Sequence, residues 1–194
     1  MKELKINSIL LLKIFLPALS CVLSVYFFSV TLKDYTNATL LFFGLIIILF
    51  NYRKTKYNYY ISFIISIVLS YLTFFLALGI HAGISYLLIQ FIDFDKLENL
   101  NMFTHFITKL FSLFSISLLS PILMFRSYRI LFKIKYDKYY KSVQFIVIIL
   151  LIVYGLISKE LEKEYFIVWQ FLMVLSLQLI LYQEEIKLLF INKK

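Results

Sequence analysis

Charged residues divide the chain into uncharged stretches at 14–32, 35–52, 57–92, 110–125, 142–158 and 165–183. A helix rising 1.5 Å per residue needs about 20 residues to cross a hydrocarbon core, and about 17 with snorkelling ends. The third stretch is too long for one simple crossing and too short for two with a loop. Its start, YNYY at 57–60, has the composition of an aromatic interface belt. The fourth is short, so its crossing begins near Met102 and takes in His105 and Lys109 at one end. The pattern predicts an all-α, polytopic integral membrane helix bundle of about six transmembrane helices. Spans are expected near 10–32, 35–52, 61–88, 102–125, 142–158 and 165–183, in one domain over 1–194; four spans is the alternative count.

At the N-terminus Lys2 and Lys5 precede an apolar stretch, and ALSC at 18–21 resembles a lipoprotein cleavage box. A signal peptide's apolar region runs roughly 7–15 residues and ends in small residues. Here it continues past Cys21 as VLSVYFFSVTL, which predicts a retained span.

Composition agrees with the span pattern. The chain is 62% apolar, 19% aromatic and 16% charged, with a mean hydropathy of +0.88. A soluble domain is about half apolar and a quarter charged, so lipid is expected to cover part of this surface. The single cysteine excludes an internal disulfide framework and a multi-thiolate metal site.

Charge fixes an expected orientation. With six spans and both termini cytoplasmic, fifteen of the twenty basic residues fall on inner segments and seven of the eleven acids on outer ones. That is the positive-inside distribution. The strongest inner anchor is RSYRILFKIKYDKYYK at 126–141, with Arg126, Arg129, Lys133, Lys135, Lys138 and Lys141. On a helical projection Arg126, Arg129, Lys133 and Lys141 share a side, with Tyr128, Phe132 and Tyr139 roughly opposite. A basic, aromatic-backed helix continuing the fourth span is therefore expected. Such a surface can rest on anionic headgroups, each cation contributing about 1 kcal/mol, or hold an acidic partner or nucleic acid.

Lipid is as apolar as leucine, so membrane helices associate through small and polar residues. Ser62, Ser66, Ser70, Thr73, Ala77 and His81 recur every three or four residues on one face of the third span, and GIHAG adds the pair Gly79 and Gly83. This helix is expected at the close-packed centre of the bundle or of an oligomer; a polar pore lining is the competing reading. Ser112, Ser115, Ser117 and Ser120 follow in the fourth span with a kink expected at Pro121, and Gln170, Ser176 and Gln178 in the sixth.

Reactive chemistry has little support. His81 and His105, with Asp93, Asp95 and Glu98 between, offer ligand types for a metal site, but without an HExxH-like spacing. No GxSxG or phosphate loop occurs, and no acid falls within a span. Cys21 has no histidine near it in sequence and suits a small buried apolar position. No cofactor and no enzymatic activity are expected.

The opening MKELKINSILLLKIFLPALS, the length and the overall organisation resemble the membrane subunit (KwaA) of the bacterial Kiwa antiphage defence system. The resemblance implies an inner-membrane protein working with a cytosolic, DNA-binding partner. It carries no residue roles with it. The resulting expectation is a non-enzymatic, multi-pass subunit of the bacterial inner membrane. It self-associates, contacts anionic headgroups, and anchors or signals to a cytosolic partner protein through its basic loops, without direct nucleic-acid contact. A small channel or solute transporter is the alternative.

Overall fold

The structure, a computed structural model, describes residues 2–32, 36–91, 109–111, 113–158 and 163–191. Its helices are α1 (Lys2–Thr31), α2 (Thr36–Asn51), α3 (Tyr59–Phe91), α4 (Ser120–Leu131), α5 (Lys138–Ile157), α6 (Lys163–Leu181) and α7 (Gln183–Ile191), with a 3₁₀ turn at Tyr52–Lys54 and a π-helical segment at Phe114–Leu119. Among the described residues six helices are long and apolar enough to cross a membrane: Ser8–Thr31, Thr36–Lys54, Tyr59–Ile84, Lys109–Leu131, Lys138–Ile157 and Glu164–Leu181. The fourth ends later than the pattern of charges suggests, carrying Arg126 and Arg129 in its last turns.

Consecutive helices pack side by side: α1 on α2, α2 on α3, α3 on α4, α4 and its π segment on α5, and α5 on α6, while α6 closes the circuit against α1. Aromatic side chains from three helices meet in the middle. The Phe43 ring lies 5.9 Å from that of Trp169 and 6.4 Å from that of Tyr128.

The core is apolar and aromatic, polar residues of the helices sit inside with it, and apolar residues also cover the outside, where a water-soluble bundle would be polar. Ser62, Ser66, Ser70, Thr73, Ser115, Ser117, Gln170, Ser176 and Gln178 are buried. Leu12, Leu23 and Phe27 of α1, Ile64, Val68, Leu72 and Phe75 of α3, and Phe145, Ile146, Leu150 and Val153 of α5 are exposed. Most of the buried hydroxyls donate to backbone carbonyls, as Ser66, Ser70, Thr73 and Ser176 do, the arrangement expected where no water is at hand.

Of the two expectations for α3, the close-packed centre of the bundle or of an oligomer, the first is corrected within the single chain. Half of the α6 span is buried, against 28% for α3. Only the serine face of α3 is enclosed; its other sides carry Ile, Leu, Val and Phe outward.

Candidate functional site at the basic end of the bundle

The helix expected through 126–141 is interrupted. α4 stops at Leu131 because Phe132 adopts extended backbone (φ −104°, ψ 155°), and 133–136 is not helical. The neighbouring connection takes over the hydrogen bonding. Phe132 pairs with Thr55 in an antiparallel bridge, and the Lys56 N–H donates to the Leu131 carbonyl at 2.9 Å. Helix resumes at Lys138, where the Asp137 carboxylate accepts from the Tyr140 N–H at 2.9 Å, a Ncap that satisfies one of the first free amides. Arg126 and Arg129 therefore belong to α4, Lys133 and Lys135 to a non-helical link, and Lys138 and Lys141 to α5. The common helical side proposed for Arg126, Arg129, Lys133 and Lys141 does not exist.

The two basic connections nevertheless lie side by side. The Lys56 ammonium donates to the Arg129 carbonyl at 2.7 Å, fastening 52–58 to the end of α4. The Arg129 guanidinium lies 4.5 Å from the Tyr136 ring centroid and 5.8 Å from that of Tyr140, and Lys141 lies 4.8 Å from Tyr136. Such contacts contribute about 0.5–2 kcal/mol each. Arg126, Lys133, Lys135 and Lys138 are exposed and form no ion pair among the described residues. Tyr128 and Phe132 are fully buried and back this surface from within.

The α6–α7 corner joins the same end. The Lys54 ammonium donates to the Leu181 carbonyl at 2.8 Å and to Glu185 Oε1 at 3.0 Å, and sits 3.9 Å from the Tyr182 ring centroid. Lys13 of α1 reaches Glu185 Oε2 at 3.3 Å. Burial, and after it the Glu185 carboxylate, push the Tyr182 phenol above its ordinary pKa. Beside this corner a cleft of ≈ 260 Å³ opens, lined by Lys54, Lys133, Lys135, Leu181, Gln183 and Glu184 among others.

The small-residue face of α3 divides in two. Ser66 Oγ donates to the Gly44 carbonyl at 2.8 Å and lies 3.2 Å from the Tyr128 hydroxyl; Ser70 Oγ donates to the Leu40 carbonyl at 3.0 Å. Ser62, Thr73 and Ala77 are buried with them. Because these hydroxyls are engaged with backbone, the face is a packing seam within the chain. Gly79 and Gly83 are exposed, and a Cβ at either would meet nothing within 4 Å. The residue that permits close approach is Gly44 of α2, where a Cβ would come within 3.0 Å of the Ile67 Cα. It stands as a lone glycine in LLFFGLIIIL, a signal readable only once its partner is known.

His81 lies on α3, but its side chain is outside the described residues, as are His105, Asp93, Asp95 and Glu98. Cys21 is buried in the core. The amides of Gln170 and Gln178 and the Ser115 hydroxyl are buried without a partner. No family model matches the chain, and neither a curated protein nor a solved structure does.

Proposed function

We propose that this protein is a non-enzymatic, multi-pass membrane subunit. In this reading it self-associates within the bilayer and presents its basic end to the cytoplasm, where that end rests on anionic headgroups and docks an acidic surface of a partner protein. The observation that carries the reading is the convergence of Lys13, Lys54, Lys56, Arg129 and the 133–135 link on one end of a bundle whose flanks are apolar. Polybasic segments beside spans are attracted to anionic leaflets by about 1 kcal/mol per cation. The open apolar faces of α3, with Gly79 and Gly83 uncovered, supply a surface for a second copy, since small residues let helix backbones approach. A place in bacterial antiphage defence, as the resemblance in length and overall organisation implies, is one use of such a subunit.

Purification in mild detergent from its native host tests the reading. We expect a homo-oligomer that retains a cytosolic protein, and loss of that protein on Arg126→Glu, Lys138→Glu and Lys141→Glu together with the oligomer intact. A monomer that retains nothing, or retention unaffected by charge reversal, would refute it.

A further inference from the structure

The cleft at the α6–α7 corner has a composition that the docking surface does not require. Two of its lysines, Lys133 and Lys135, form no ion pair or hydrogen bond among the described residues. Both lie on the non-helical link 133–136 and line the same cleft, so these cations are neighbours. The third, Lys54, is held at the cleft by the Leu181 carbonyl and Glu185. Of the acids here, Glu184 pairs with Lys187 at 3.2 Å and Glu185 with Lys13 and Lys54, so the free charge is positive. Gln183 also lines the cleft; it is 6% exposed and its Oε1 has no partner. A buried acceptor left unsatisfied is costly, and a ligand bringing a donor would satisfy it.

From this geometry we infer that the cleft binds a phosphate carrying an adjacent hydroxyl or ammonium group. Lys133 and Lys135 pair with the phosphate oxygens, and Gln183 Oε1 accepts from the neighbouring donor. Lysine is a point-charge phosphate ligand, and a carbonyl oxygen beside it selects against an aprotic neighbour. The cleft lies where α2, α4 and α6 end, at headgroup depth if the helices span a bilayer; that placement rests on the membrane reading above. A phosphatidylglycerol headgroup and a free phosphate ester share the required chemistry.

Native mass spectrometry of the full-length protein in detergent separates the sources. Phosphatidylglycerol, phosphatidylcholine, glycerol 1-phosphate and inorganic phosphate are titrated in parallel. Retention of phosphatidylglycerol at least tenfold better than phosphatidylcholine is expected, because choline has no donor for Gln183. Binding of glycerol 1-phosphate as well assigns recognition to the phosphate and hydroxyl alone; its absence assigns it to the anchored lipid. Lys133→Ala with Lys135→Ala should abolish the preference, and Gln183→Leu should reduce discrimination against phosphatidylcholine. Arg53→Ala with Lys109→Ala, an equal loss of charge outside the cleft and outside the docking surface, should leave both unchanged, with helicity by circular dichroism monitored throughout. No preference, or equal loss in the two double variants, overturns the site. A protein that stays soluble without detergent and still binds glycerol 1-phosphate would overturn the membrane reading and leave the cleft standing.

Discussion

Gly44 shows what a single atom decides. Its carbonyl accepts from Ser66, and its missing Cβ allows α2 to lie against the backbone of α3 at Ile67. Because the obstructing atoms are backbone, they cannot rotate away. Gly44→Ala is expected to destabilise the bundle by about 1–3 kcal/mol through overpacking. Thermal unfolding in detergent should record a lower Tm for Gly44→Ala and an unchanged protomer Tm for Gly79→Ala and Gly83→Ala. Equal effects at all three positions would contradict the packing described. The serine face was legible because its spacing matches one side of a helix. GIHAG carries an equally clear spacing but lacks a neighbour among the described residues. α2 has only 16 residues, and its first turn is already level with Tyr71, whose hydroxyl donates to the Asn37 carbonyl at 2.7 Å. Towards Gly79 and Gly83, α2 has run out.

Among the elements, the fourth span departs furthest from a uniform helix. Pro121 has no N–H to donate, and its ring would strike the carbonyl four residues earlier, at Ser117. The backbone widens into the π segment Phe114–Leu119, with the Ser120 N–H reaching back to Ser115. Such insertions are a known accommodation of helix strain, and Pro121 made some irregularity foreseeable from sequence. The break at Phe132 was not foreseeable. Leu, Phe, Lys, Ile and Tyr all tolerate helix, and the projection of 126–141 gave a coherent basic side. What ends the helix is Thr55, 77 positions away in the chain, bridged to Phe132. Asp137 then restarts it. Asp137→Ala should cost about 1 kcal/mol, the ordinary worth of a Ncap side chain. Hydrogen exchange should show faster amides confined to the first turn of α5; unchanged protection there would remove Asp137 from this role.

For the molecule as a whole, the outward faces are apolar on helices long and apolar enough to cross a membrane. Exposed Leu, Ile and Phe along α1, α3 and α5 form continuous apolar surfaces of a kind that water-soluble proteins rarely leave open. The proposed orientation is testable at this scale. In a Cys21→Ala background, Lys138→Cys is expected to be shielded in intact cells from a membrane-impermeant maleimide, and Glu160→Cys to react. The opposite pattern would invert the orientation and move the proposed docking surface to the other side.

Sequence alone determined the helical class, the six apolar lengths and the clustering of cations, because transfer free energy and helix rise act on consecutive residues. Only the tertiary structure decided which helices are neighbours, that α6 rather than α3 is the most enclosed, and that the cationic stretch is a broken link beside a cleft. The deciding contacts are distant in the chain: Lys13 and Glu185 are 172 positions apart, Lys54 and Glu185 131, and Ser66 and Tyr128 62. No local periodicity encodes such pairings. They arise when packing and hydrogen-bond satisfaction select one assembly of helices that would each be acceptable alone.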